Sequence, residues 1–118
     1  MKQRVFDGVR VSEVGLGCWQ IGGDQWGDVP EADALDVLRA SADAGVTFLD
    51  TADVYGAGRS EELVGRFLKE RGRDRFFVAS KFGRFPRPGW PGNFEPKTVP
   101  AHTENSLKRL GVDRLDLT

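Results

Sequence analysis

The sequence predicts an α/β chain, and within that class a partial (β/α)8 TIM barrel: an N-terminal β-hairpin plus about three and a half βα units. Three observations predict it. Short β-favouring runs alternate with amphipathic helical runs, which gives a series of right-handed βαβ crossovers on a parallel sheet. The run at residues 76–81 has almost no polar residue until its end, as expected of a parallel strand covered on both faces. The doubly wound dinucleotide fold, the other architecture with this alternation, needs G-x-G-x-x-G after its first strand. Here Gly15-Leu16-Gly17 is followed by Cys18-Trp19-Gln20-Ile21 before Gly22, so the spacing fails.

Each element has a local reason. Residues 3–6 and 9–11 are β-favouring and flank Asp7-Gly8, a pair that tolerates the positive φ of a tight hairpin turn. Residues 14–19 form a short strand whose glycines allow a neighbouring backbone or a ligand to come close. A loop rich in Gly, with Gln25 and Trp26, leads to a helix over residues 30–44. Its apolar residues Leu35, Leu38 and Ala42 recur at spacings of three and four, with Pro30 in the opening turn and Gly45 just past the end. A strand over residues 46–50 ends in Asp50, and residues 51–59 are its exit loop.

The second helix spans residues 60–71. Ser60 is placed to cap it, Glu61 and Glu62 suit the positive end of its dipole, and Gly72 stops it. Its buried stripe is Leu63, Val64, Phe67 and Leu68. Residues 83–96 carry prolines at 86, 88, 91 and 96 with Phe85, Trp90 and Phe94, a composition that excludes regular structure. A third helix begins near Pro100, buries Thr103, Leu107 and Leu110, and ends at Gly111. A fourth strand starts at Arg114, and Thr118 falls inside it.

Composition narrows the function classes. The chain has 118 residues, 39% hydrophobic and 30% charged, within the range of one globular domain with its own core. Seventeen Lys and Arg against 18 Asp and Glu leave a net charge of -1, without the basic excess that phosphate binding needs, so nucleic acid is not an expected partner. The densest basic stretch, residues 69–75, is interrupted by Glu70 and Asp74 and reads as a solvated helix end. Cys18 and His102 are single residues of their kinds, so neither a disulfide nor a zinc ligand cluster is expected. No run approaches the ~20 apolar residues of a membrane span, and Met1-Lys2-Gln3-Arg4 leads into no signal-peptide core. The expected compartment is the cytoplasm.

Three reactive side chains stand at or just past strand ends: Asp50, Tyr55 in the following loop, and Lys81. The C-terminal strand ends form the active-site face of such barrels. By strand alternation Asp50 shares a face with Phe48, and Lys81 shares one with Ala79 and Phe77. An ammonium beside a phenol favours the phenolate, and a carboxylate beside the ammonium holds it charged and oriented. Such a phenol can protonate a carbonyl oxygen as negative charge builds on it, and hydride attack from a nicotinamide builds that charge. Taken singly, Asp50 could orient a loop, Tyr55 could sit on a rim and Lys81 could be a surface cation. Their equivalent positions on successive strands argue for a site.

The run Leu49-Asp50-Thr51-Ala52-Asp53-Val54-Tyr55-Gly56, followed by Ser60-Glu61-Glu62-Leu63-Val64-Gly65, resembles the signature of the aldo-keto reductases. Residues 11–19 resemble that family's first barrel strand and its exit, Ser80-Lys81-Phe82-Gly83 its third-strand lysine segment, and residues 106–117 its third helix entering the fourth strand. The resemblance implies an NADPH-dependent reductase of aldehydes or ketones, with a small carbonyl substrate. It makes Tyr55 the proton donor, tuned by Lys81 and Asp50, and places Asp50, Cys18, Trp19 and Gln20 near the nicotinamide end of the cofactor. The loop from Phe85 to Phe94 becomes part of a substrate wall or a proline-stiffened cover. A non-catalytic nicotinamide-binding regulatory subunit, or an inactive fragment, is the alternative.

The departures from the family are also informative. A (β/α)8 barrel takes about 250 residues. Residues 1–118 are therefore expected to be the N-terminal portion of one barrel domain, with the remaining half supplied in cis or in trans. The family's catalytic histidine belongs at the end of the fourth strand. His102 is no substitute: helical spacing puts it with Ser106 and Arg109, which reads as a surface face. Pro100 falls where similar sequences are already helical, so the helix is expected to begin later or to kink there.

Overall fold

The computed structural model describes residues 1–118. Strands β1 (Gln3–Phe6) and β2 (Val9–Ser12) form the antiparallel hairpin. Its turn is closed by Asp7 and Gly8, both at positive φ. Strands β3 (Leu16–Gly17), β4 (Phe48–Asp50) and β5 (Phe77–Ala79) make a parallel sheet in that order. Helices α1 (Glu31–Asp43) and α2 (Arg59–Arg71) are the crossovers, and α3 (Val99–Leu110) follows β5. Strand order keeps to chain order without the reversal of a doubly wound sheet, which is how a barrel wall is built.

The sheet is an open sector of three strands. The expected fourth strand is present only as a parallel bridge from Leu117 to Ala79, supported by the Ser80 N–H donating to Leu117 O at 3.0 Å. Strands are shorter than expected because pairing, not β-favouring composition, sets their length: residues 14 and 15 have no partner strand, while Gly17 pairs with Asp50.

The two faces of the sheet differ. Leu49 and Val78 point to the helices and join a core with Leu38, Leu63, Val64, Phe67, Leu68 and Leu110. Each such side chain stabilises the fold by about 1.5–3 kcal/mol through burial. On the other face Phe48 stacks on Phe77 at 5.1 Å, and Phe6 of the hairpin meets both rings edge-on at 6.4 and 5.5 Å. The hairpin therefore closes the N-terminal end of this inner face. It is tied to β4 by reciprocal bonds, Ser12 N–H to Thr47 Oγ1 and Thr47 N–H to Ser12 Oγ, both 2.8 Å. Asp50, two residues beyond Phe48, is left at the open C-terminal end.

Several local expectations change. Pro100 is the second residue of α3, inside the first turn where a missing N–H costs nothing, so the helix neither starts late nor kinks there. Leu110 is buried as expected, whereas Thr103 and Leu107 are half-buried and Ser106 is the other buried position. Ser60 does not cap α2, which begins one residue earlier after Gly58 at φ 101°. Its hydroxyl donates instead to Cys18 O at 2.7 Å and sits 2.9 Å from Thr51 Oγ1. Arg73, expected at a solvated end, pairs with Asp116 at 2.6 Å, and both side chains are mostly buried.

The proline-rich segment is irregular, with short 3₁₀ turns at Gly92–Phe94 and Pro96–Thr98. Asn93 organises it from within. Fully buried, its Nδ2 donates to Gly83 O and Phe85 O at 3.0 and 2.7 Å. No helix is long and apolar enough to cross a membrane.

Candidate active site

Three strand exits converge at the open end of the sheet. Pairing of Gly17 with Asp50 and of Asp50 with Ala79 puts the residues that follow each strand side by side. Lys81, two residues past β5, forms an ion pair with Asp50 Oδ1. Its Nζ also donates to Thr51 O at 2.9 Å and to the Tyr55 hydroxyl at 3.4 Å, and lies 5.2 Å from the centre of the Tyr55 ring. Burial works against the Lys81 ammonium, but the hydrogen bond and charge of Asp50, helped by Tyr55, outweigh it and hold Lys81 above the ordinary lysine range. Asp50, Tyr55 and Lys81 are thus brought together as one hydrogen-bonded group.

Trp19 joins them. Its ring stacks on Tyr55 at 5.9 Å and 23°, and Trp26 meets Trp19 edge-on at 5.5 Å. Gln20 is exposed at the start of a 3₁₀ turn, Gln20–Gly22. Cys18 is different: it is fully buried, with its sulfur among the core residues, and only its backbone reaches the site, through Cys18 N–H to Asp50 O at 2.8 Å. Burial first, and then the Asp50 charge, push the thiol up to about 12. A neutral thiol-specific reagent at pH 8 should therefore leave Cys18 unlabelled until denaturant is added. Rapid labelling of the native chain would contradict its placement.

The loop carrying Tyr55 is shaped by close backbone contact. Gly56, at φ 60°, packs against Gly22, and a Cβ on Gly22 would lie 2.9 Å from Gly56 N. Arg59 reinforces the contact by donating to Ile21 O at 2.9 Å and Val29 O at 2.6 Å. The loop after β3 and the loop after β4 are therefore held as a unit.

Beneath them lies a polar cluster. Glu61, expected near the helix dipole, is fully buried; Ser80 Oγ donates to its Oε1 and Arg109 Nε to its Oε2, both at 2.6 Å. Asp53 is buried beside it, and His102, expected at the surface, has Nε2 buried and its ring stacked on Phe82 at 5.3 Å. The face of α3 carrying His102, Ser106 and Arg109 is the packed one, because Glu61 gives Arg109 an internal partner. No three His, Cys, Asp or Glu side chains converge as metal ligands.

A parallel barrel sector with a carboxylate, an ammonium and a phenol grouped at its strand ends defines a class of (β/α)8 proteins, and comparison with known proteins specifies it. The Aldo/keto reductase family model matches residues 13–118. The aldo-keto reductase YhdN of Bacillus subtilis is 40% identical over 116 residues, covering 93% of this chain and 34% of that protein. The structure of aldo-keto reductase AKR11C1 from Bacillus halodurans, in its holo form, superposes with a TM-score of 0.81 at 32% identity, covering 98% of this chain and 38% of that one. An aldo-keto reductase from Klebsiella pneumoniae in complex with NADPH gives 0.76 at 33% identity, covering 93% and 35%. The chain belongs to the aldo/keto reductase family. It spans about a third of the length of the curated relatives it matches.

Proposed function

We propose that residues 1–118 are the N-terminal portion of a single aldo-keto reductase barrel domain and supply the proton-donating side of an NADPH-dependent carbonyl reductase. One observation carries the reading: the Tyr55 hydroxyl, the Lys81 ammonium and the Asp50 carboxylate form one group at the strand ends. Tyr55 gives its phenol proton to the oxygen of an aldehyde or ketone, so the phenol O–H bond breaks as the alcohol O–H bond forms. Lys81 offsets the negative charge left on the phenol oxygen. Asp50 holds Lys81 charged and aimed, and solvent returns the proton to Tyr55 once the alcohol has left.

NADPH supplies the hydride that reduces the carbonyl carbon when it is bound. The chain's residues fit its nicotinamide end. Asp50 binds Lys81 through Oδ1, is only half-buried and leaves Oδ2 as an acceptor for a ribose hydroxyl. Beside it, a Cβ on Gly17 would meet nothing within 4 Å, so that side of the floor is open to a flat ring. Trp19 would flank the same space, with Gln20 at its edge. The grip on the rest of the cofactor falls to the other half of the barrel, in cis or in trans. We place the protein in the cytoplasm, where a single cysteine stays reduced.

The reading is tested by Lys81→Met in the complete barrel. Turnover of an aromatic aldehyde should fall within the ~10²- to 10⁴-fold range of positioned acid catalysis. NADPH binding, followed by cofactor fluorescence, should persist. Unchanged turnover would reject the role given to Lys81.

A further inference from the structure

We propose that Arg59 is a positioning residue for carbonyl reduction: its guanidinium bridges two carbonyls of the loop after β3, fixes Trp19 against Tyr55 and so keeps the phenol within reach of Lys81. Arg59 is the first residue of α2 and directly follows the turn that presents Tyr55. Its backbone N–H bonds to Tyr55 O and Gly56 O and closes that turn. Its side chain reaches the other loop, where Nη1 donates to Ile21 O at 2.9 Å and Nη2 to Val29 O at 2.6 Å. Ile21 belongs to the core and Val29 packs against it, so the fork grips the loop at two anchored points. One residue thus joins the turn of Tyr55, through its main chain, to the loop of Trp19, through its side chain.

The loop's own bonds do not make that connection. Gly22 N–H donates to Trp19 O at 3.0 Å, Gly23 N–H to Gln20 O at 3.1 Å and Trp26 N–H to Gly23 O at 2.8 Å, which folds the loop on itself. Arg59 and the close approach of Gly22 to Gly56 tie it to the start of α2. Trp19 immediately precedes the turn that contains Ile21, and its ring stacks on Tyr55 at 5.9 Å and 23°. A fixed backbone leaves a tyrosine several rotamers, whereas a stacked ring selects one. With Trp19 held in place, the Tyr55 hydroxyl stays 3.4 Å from Lys81 Nζ. Arginine suits the task because its planar guanidinium presents donors in a rigid fork, where lysine offers a single point of charge.

The proposal rests on the proton-donor reading of Tyr55, and a double-mutant cycle in the complete protein separates the two. With an aromatic aldehyde and saturating NADPH, Arg59→Ala should lower kcat by roughly 10- to 10²-fold, the scale of a misplaced reacting group. In a Tyr55→Phe background no phenol is left to place, and the same substitution should change the residual rate by less than about twofold. A role confined to folding or to the cofactor would lower both rates alike. Should Arg59→Ala fail to fold, Arg59→Lys serves in the same two backgrounds: it keeps the charge, loses the fork and should show the same Tyr55-dependent loss. Equal losses in the two backgrounds, or an unchanged kcat in the Arg59 variant, would overturn the role of Arg59 alone. Near-original kcat in Tyr55→Phe by itself would refute the proton-donor reading, and this role with it.

Discussion

Tyr55→Phe in the complete barrel is expected to remove most carbonyl reduction, roughly 10²- to 10⁴-fold, while NADPH still binds. The substitution deletes one oxygen and leaves the ring, so the stacking on Trp19 at 5.9 Å and the backbone contact of Gly56 with Gly22 survive. What is lost is the proton and the group 3.4 Å from Lys81 Nζ. The cofactor contacts proposed above lie elsewhere, at Asp50 and Trp19, so on that reading the variant separates chemistry from binding: kcat falls and the cofactor Kd stays close to its original value. A variant with near-original kcat would mean that another group delivers the proton.

The largest effect on stability is expected from Arg109→Ala. Glu61 is fully buried, and the Arg109 side chain beside it is 21% exposed. Removing the arginine leaves a buried carboxylate whose remaining donor is the Ser80 hydroxyl. Breaking a buried pair in this way costs about 3–5 kcal/mol. Glu61→Gln should cost distinctly less, since it leaves no buried anion and the guanidinium can reach solvent. Urea unfolding of the two variants checks the order, and equal losses would mean that the pair matters for shape and not for charge.

The barrel sector was legible because alternation is a local pattern. Periodic apolar residues mark α1 and α2 wherever they pack, and Phe76 to Ala79 are apolar enough that only a doubly covered strand accommodates them. Strand ends were less legible, since β3 is as long as its pairing with β4 and its composition does not set that limit. Asp50, Tyr55 and Lys81 could be found from the sequence because the strand-end rule assigns position without knowledge of contacts.

What sequence reasoning missed was long-range polarity. Ser60 and Glu61 fit a helix start by every local rule, yet their partners are Cys18 O, 42 residues back, and Arg109, 48 residues on. Helical spacing puts His102 on the face of α3 shared with Ser106 and Arg109, where its polar neighbours suggest water; the residue is half-buried, with Nε2 enclosed and its ring on Phe82. Asn93 gave only one signal, a side chain with two donors in a loop rich in proline and carbonyls that no strand could satisfy. Arg59 likewise binds two carbonyls whose positions depend on the fold of a distant loop.

The most direct measurement of the central claim is steady-state NADPH oxidation by the complete protein with an aromatic aldehyde, with the alcohol product quantified alongside. The account predicts continuous consumption with one alcohol formed per NADPH oxidised. Cofactor that binds and is not consumed would contradict it, and would make the Asp50, Lys81 and Tyr55 group part of a nicotinamide-binding regulatory subunit.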